Sequence, residues 1–508
     1  MNIYYILPII IPIAGALVIA ILGRFAKKQT LGWMLGYASI AILCLLTSLG
    51  LIISFYPQIG SIDPSELNWK IGGLIGSTFK MDTITWWLSL IFTLLGTIVA
   101  IYSIRYMDKD DRLDRYYLLL LILIEGMIGV VMSGDLFTLF IFWETMSLSS
   151  YVLVSFRKEQ PDPIEAGIKY LFMSAFGSIS LLFGMSLIYG TTGTLNIASI
   201  AQIYLTKISA YGLSSVHYVI ITALIIGFGV KAAIVPLHTW LPDAHPAAPS
   251  GISAMLSGVV IMTGMYGMIY TLTSFFAPSI DTLGFVLLWI SIVTMFVGNL
   301  LALRQNDLKR LLAFSTVLNV GFILFGLSMG SAGINADASA LGVQGGWFHI
   351  FTHSLGKGLA FLCAGAILYR FKERGLDKLE GIGKRMPWTM GALTIALLSL
   401  AGVPPLPGFW SKLNMVIAAV QSGNWQYYVG VGLFLLSSVT SVVYYLIVLQ
   451  RMWFKEPSEE VQNVQETPLE IIIPLYVLVI VMVLVSIIPN TFSAIAANAA
   501  SDLLSFIP

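Results

Sequence analysis

Charge is what this sequence has least of. Only 10% of its 508 residues are Asp, Glu, Lys or Arg, where a soluble domain carries about a quarter. The few charges are almost balanced, with 27 basic and 26 acidic residues, so no global field points to a nucleic acid partner. Cysteine is nearly absent as well. Cys44 and Cys363 both lie in apolar runs, which excludes a disulfide framework and any four-cysteine metal or iron–sulfur site. Five histidines are too few, and too unevenly spread, to suggest haem ligation by facing helices. No cofactor and no metal are expected.

What remains is apolar: 57% of the chain is hydrophobic. Runs long enough to cross about 30 Å of hydrocarbon recur at 3–23, 31–55, 82–104, 116–133, 135–156, 164–190, 212–235, 251–276, 282–303, 309–330, 345–369, 388–421, 428–450 and 470–488. The pattern predicts an all-α, multi-pass membrane protein of about fourteen spans. The first run lacks a basic start and a small-residue cleavage site, and is read as a retained span. A polar stretch, Asp63–Asp82, is expected to form a small hairpin outside the membrane.

Lysine and arginine sort by loop. Loops after odd-numbered spans hold most of them, including Lys27 and Lys28, Lys109 and Arg112, Lys309 and Arg310, and Arg370 to Arg385; the opposite loops hold only Lys70, Lys80 and Lys207. The bias places the odd loops in the cytoplasm and both termini outside a prokaryotic plasma membrane. Lys169, Lys231, Lys357 and Lys412 fall inside apolar segments, Lys169 near an end.

Two spans are interrupted, within Gly229–Asp243 and Ala401–Lys412. Proline removes a backbone donor and clashes with the preceding turn, and backbone freed at membrane depth needs protein or a wet cavity around it. Each break has a lysine beside it, and each interrupted span is the fourth in a group of five. Two five-span groups would enter from opposite sides, the layout of an inverted repeat. The expected division is 1–115 (three helices and the hairpin), 116–276 (first repeat), 277–453 (second repeat) and 454–508 (last helix and tail).

A charge in hydrocarbon costs at least about 2.5–3.5 kcal/mol, so each buried one needs a partner or a function. Glu144 has no base on its own helix, and Lys231 is its natural partner. Desolvation favours the neutral amine and a nearby carboxylate favours the ammonium, so loosening such a pair would drive its proton on. A static ion pair is the alternative. His349, His353 and Lys357 are spaced by fours and share one helix face. Imidazole titrates near neutrality and both takes and gives a proton; a relay is favoured, with a buried polar network or a shared metal ion as alternatives. Lys412 would be the last station. Glu125 is either a point of proton uptake or a partner of Lys169. His238 and His245 flank the first break and are expected to tie down its loop by hydrogen bonds, with proton carriage as the alternative.

Several motifs carry a resemblance: Phe142-Trp-Glu-Thr-Met, Glu165-Ala-Gly-Ile-Lys-Tyr, the Val230–His245 run, Asp307-Leu-Lys-Arg-Leu-Leu-Ala-Phe-Ser, Phe348-His and Gly402-Val-Pro-Pro-Leu-Pro-Gly-Phe. From Met81 to Phe454 the chain resembles the antiporter-like subunits shared by respiratory complex I, Mrp-type cation/proton antiporters and membrane-bound hydrogenases, nearest the hydrogenase and Mrp D-type members. The resemblance implies fourteen helices in two inverted repeats, Glu144 and Lys231 in an input half, and Lys412 in an output half. It implies partners too: other antiporter-like subunits and a peripheral redox module, with H⁺ and possibly Na⁺ as the ion. The chain itself would be a non-catalytic pumping subunit, either of a redox complex or of an Mrp antiporter. Two departures stand out. Met262 occupies the eighth-span position where the family has lysine or histidine, and Asn319 occupies a tenth-span position where some members have histidine. Without a charge at Met262, the join between the halves falls to water, Thr263 or the His349 row.

Overall fold

The computed structural model describes residues 3–25, 30–61, 68–71, 75–277, 280–331 and 334–506. Lys27 and Lys28 lie outside them, as do parts of the expected hairpin. Its two strands are described, however: β1 (Asn68–Ile71) pairs antiparallel with β2 (Ile75–Thr78).

The other regular elements among the described residues are helices. The chain begins with α1 (Leu7–Phe25) and α2 (Leu31–Phe55), then crosses the hairpin to α3 (Thr83–Tyr106), α4 (Leu113–Met132), α5 (Leu136–Val154) and α6 (Pro161–Thr192). A short helix, α7 (Ile197–Tyr211), precedes α8 (Ser215–Ala232), α9 (Leu241–Ala247) and α10 (Ser250–Met255). One π-helical turn, Leu256–Val260, joins α10 to α11 (Ile261–Phe276). There follow α12 (Ile280–Leu303), α13 (Leu308–Ser328), α14 (Ala336–Phe371), α15 (Pro387–Ala401), α16 (Pro407–Gln421), α17 (Trp425–Phe454), α18 (Glu459–Gln462), α19 (Leu469–Ile487) and α20 (Pro489–Leu504).

Local chemistry sets the boundaries. Asp82, Asp135 and Asp307 cap α3, α5 and α13, each accepting from the backbone N–H three residues on at 2.7–3.0 Å, which satisfies donors that a helix start leaves open. Proline opens α6, α15, α16 and α20, where its missing N–H costs nothing.

Among the described residues, thirteen helical segments are long and apolar enough to cross a membrane, and α15 is a shorter apolar helix. Burial separates them into layers. The span Ser250–Phe276 is wholly buried, as is the most apolar stretch of Ala336–Phe371, and Leu308–Ser328 almost so, whereas α1, α2, α6, α17 and α19 show over half of their most apolar stretch at the surface. Polar side chains therefore collect on α11, α13 and α14, while the outer helices turn Leu, Ile, Val and Phe outward. α7 and α20 were not foreseen as separate elements. Both are amphipathic and too short to span: α7 packs on α11, and α20 on α3 and α14.

Candidate ion pathway

The first break follows α8. Ala233 adopts a left-handed conformation (φ 56°) and ends the helix, and the Val235–Pro236 bond is cis. Lys231 sits in the last turn, where the negative end of the helix favours a cation. It is 1% exposed. Its Nζ donates to Tyr170 Oη at 3.0 Å and Ser174 Oγ at 3.4 Å on α6, and lies 4.8 Å from the centre of the Tyr170 ring. Tyr170 stacks at 4.0 Å on Trp240, whose indole N–H holds Val230 O at 2.8 Å. The aromatic pair thus clamps the helix end against α6.

Glu144, on α5, makes no ion pair with Lys231. It accepts from Ser178 Oγ, one turn of α6 beyond Ser174, and it is half-buried rather than enclosed. The direct pair expected from the sequence is therefore corrected: two serines at i, i+4 on α6 separate base from acid. The four residues from Ser174 to Ser178 rise about 6 Å along the helix, and unit charges that far apart couple by about 3 kcal/mol at an effective dielectric constant of 20. The acid can still bias the base without touching it.

The second break falls between α15 and α16. Gly402 (φ 86°) closes α15, and Pro404–Pro405 is cis. Lys412 reaches back across the gap, its Nζ donating to Leu400 O at 2.9 Å and Ala401 O at 3.1 Å, with Ser438 Oγ at 3.3 Å. A Cβ on Gly402 would stand 3.0 Å from Lys412 Cδ, so glycine serves both the turn and the lysine. Lys412 is 5% exposed and lies 4.5 Å from the centre of the Phe322 ring.

His349, His353 and Lys357 do line one face of α14, all fully buried. Asn319, on α13, donates its amide to Ser315 O at 2.7 Å; a carbonyl only accepts, so the amide oxygen faces His349 Nε2 at 3.1 Å. Nε2 therefore carries the hydrogen, and Nδ1 accepts from Ser411 Oγ at 2.8 Å, the residue before Lys412. His353 donates through Nε2 to Ser257 O at 3.2 Å, a carbonyl in the π-helical turn, where the i→i+4 ladder is broken. Its Nδ1 has no partner among the described residues. Lys357 donates to Leu312 O at 2.8 Å and to Ser315 Oγ. Polar contacts thus run from Lys357 through Ser315, Asn319 and His349 to Ser411, the residue before Lys412.

Four expectations need correction. Lys169 pairs with Glu165 at 2.7 Å and Asp243 at 3.0 Å on an exposed face, not with Glu125, which is 3% exposed and makes no hydrogen bond or ion pair with a described residue. Neither ring nitrogen of His245 ties down the loop, although His238 does meet the backbone at Pro236; Lys309 and Arg374 hold the backbone from His245 to Ala248. Lys309 is not a loop residue but 2% exposed in the first turn of α13. Thr263 does not bridge the halves: its hydroxyl is used by Val260 O and Met146 Sδ. The residues missed were Ser174 and Ser178. Only the Ser-x-x-x-Ser spacing on α6 was a readable signal.

The family described as NADH:quinone oxidoreductase/Mrp antiporter, TM, matches residues 133–441, and that of the complex I chain 5 N-terminus matches 72–117. F(420)H(2) dehydrogenase subunit N of Methanosarcina mazei is 28% identical over 515 residues, covering 99% of this chain and all of that protein. Na(+)/H(+) antiporter subunit A1 of Staphylococcus haemolyticus is 34% identical over 421 residues, 81% of this chain but only 51% of its own length. Among solved structures, a subunit of the membrane-bound sulfane sulfur reductase, an archaeal respiratory membrane complex, superimposes with a TM-score of 0.85 at 28% identity over 100% of this chain and 99% of that one. The chain belongs to the NADH:quinone oxidoreductase/Mrp antiporter family of membrane subunits.

Proposed function

We propose that this chain is the ion-translocating subunit of a multisubunit, membrane-bound redox complex, and that the ion is the proton. Fourteen spans arise when α15 and α16 are counted as one broken crossing. Residues 116–276 and 277–453 then form two inverted repeats, each with its break in the fourth span. The basic loops face the cytoplasm and both termini lie outside. Neighbouring antiporter-like subunits and a peripheral redox module complete the machine, as the full-length similarity to a dehydrogenase subunit suggests.

One observation carries the reading. Lys231, Lys357 and Lys412 are buried, and each is held by hydroxyl or carbonyl oxygens instead of a carboxylate. A cation kept only for stability would be expected beside an acid, whereas a lysine that must lose its proton is served by neutral partners. Redox chemistry in partner subunits shifts Glu144, whose half-buried face leaves it open to a neighbour. Movement of Glu144 relative to Ser178 changes the charge felt by Lys231, and the proton moves on. In the second half, Lys357 and the two histidines deliver towards Lys412. Sodium would call for clustered carboxylates and carbonyls, and the row offers none of the former.

Vesicles containing the intact complex test this. Glu144→Ala and Lys231→Ala should abolish acidification while the complex stays assembled; pumping at the unmutated rate ends the proposal. A second reading, exchange of Na⁺ for H⁺ in an Mrp-type assembly without redox chemistry, draws on the similarity to an antiporter subunit. Mass-spectrometric composition of the purified complex separates the two: redox subunits favour the first, small antiporter subunits alone the second.

A further inference from the structure

At the join of the two halves α11 offers no charge: Met262 is buried and apolar, and the Thr263 hydroxyl is already engaged. The seam between them is polar elsewhere. His245, on α9, is fully buried, and neither of its ring nitrogens has a partner among the described residues. Leaving such a group unpaired is costly, and an apolar side chain of similar size would avoid the cost. The ring stacks at 4.6 Å on Phe361 of α14, one helical turn beyond Lys357.

Lys309 stands next to it. Its Nζ donates to Ala248 O at 2.9 Å, His245 O at 3.3 Å and Ser253 Oγ at 3.3 Å. The acids nearby are occupied: Asp243 by Arg310 at 2.5 Å and Lys169 at 3.0 Å, Asp307 by Arg374 at 3.2 Å. Lys309 therefore shares the signature of Lys231, Lys357 and Lys412, a buried amine among neutral oxygens. One turn further along α13 come Leu312 and Ser315, whose oxygens hold Lys357. In the other direction lies the Asp243–Arg310–Lys169 group, a quarter to a half exposed and in reach of water.

We infer that Lys309 and His245 form a proton-loading station at the seam, filled from the face that carries Asp243 and Arg310 and emptying into Lys357. The second half then has its own source of protons, so no proton need cross at the methionine at position 262. Each step moves one proton between nitrogens: an N–H bond breaks at the donor, one forms at the acceptor, and no electrons are exchanged. The inference rests on the proposed proton role of the row.

A purely structural role predicts something different. Lys309 also caps the carboxyl end of α9, and arginine can do that equally well, yet arginine does not release its proton. The test uses the intact complex in liposomes, a potassium diffusion potential as driving force, and internal pyranine as the proton probe. Lys309→Arg and His245→Gln should each lower proton uptake at least tenfold in complexes that still elute as one assembly, and His245→Lys should restore part of it. Native uptake with Lys309→Arg overturns the inference, even if His245→Gln fails to assemble. The underlying reading is judged separately. Loss of uptake in Glu144→Gln and Lys231→Ala alone keeps it and removes the loading station. Unchanged uptake in all four loss variants, or none from the unmutated complex, removes both.

Discussion

Replacing Asn319 by leucine isolates one link of the row with little change of volume. The amide is fully buried and uses both ends, donating to Ser315 O and accepting from His349 Nε2. That second bond holds the imidazole with Nε2 protonated and Nδ1 turned to Ser411. A hydrogen bond of this kind is worth about 0.5–1.5 kcal/mol net. Removing it lowers the ratio of this tautomer to its alternative by about 2- to 13-fold, and the orphaned N–H adds to the cost. In Asn319→Leu, nitrogen NMR of ¹⁵N-histidine-labelled complex should show His349 shifting towards the Nδ1-protonated form. Proton uptake into pyranine-loaded vesicles should fall by up to the same factor. An unchanged His349 tautomer together with native uptake would refute the assignment of Asn319 as the residue that orients the relay.

Other substitutions bear on other parts of the account. Ser178→Ala removes the hydrogen-bond partner of Glu144; a charge-assisted bond is worth about 1.5–3 kcal/mol, so acidification should drop about tenfold or more while the assembly still forms. Gly264→Ala would put a Cβ 2.5 Å from Ala232 N and 2.8 Å from Phe228 O, forcing α11 off α8 beside Lys231, and the melting temperature in detergent should fall by an amount matching about 1–3 kcal/mol of overpacking. Met262→Lys adds a cation to a wholly buried span at a cost of about 2.5–3.5 kcal/mol; yield of assembled complex should fall and uptake should not rise. Asp502, on α20, accepts from Thr83 N at 2.6 Å, and burial, then the nearby Asp82 charge, holds its carboxyl above the usual carboxylate range. A raised carboxyl stabilises the docked form below about pH 4 and loses that contribution as pH rises through its own value. Once intrinsic base catalysis is divided out, the protection of α20 amides should therefore fall above pH 4, and Asp502→Asn should flatten the trend.

Much of this architecture was legible because membranes restrict it so severely. Backbone groups in hydrocarbon must be satisfied within a helix, so apolar run length marks the crossings, and proline with a neighbouring lysine marks the breaks near 233 and 402. The i, i+4, i+8 spacing of His349, His353 and Lys357 likewise survives into three dimensions, because helix periodicity is local. What failed was long-range. Glu144 and Lys231 were matched by opposite sign, but Ser174 and Ser178 of α6 stand between them, and only packing shows that. Lys309 was read as a loop charge because it follows Asp307, yet Asp307 is the cap and the helix starts at Leu308. His245 looked like a loop tie because it lies between prolines, and its contact with Phe361, 116 positions away in the sequence, has no local signature. α7 and α20 escaped notice because span hydropathy does not report short amphipathic helices.

Lys412→Arg tests the central claim most directly. Arginine keeps the charge and can reach Leu400 O and Ala401 O across the second break, but it does not give up a proton. With the intact complex in vesicles, the account predicts an assembled protein whose proton uptake falls to background. Uptake at the unmutated rate would contradict it, and Lys412 would then be a helix cap and nothing more.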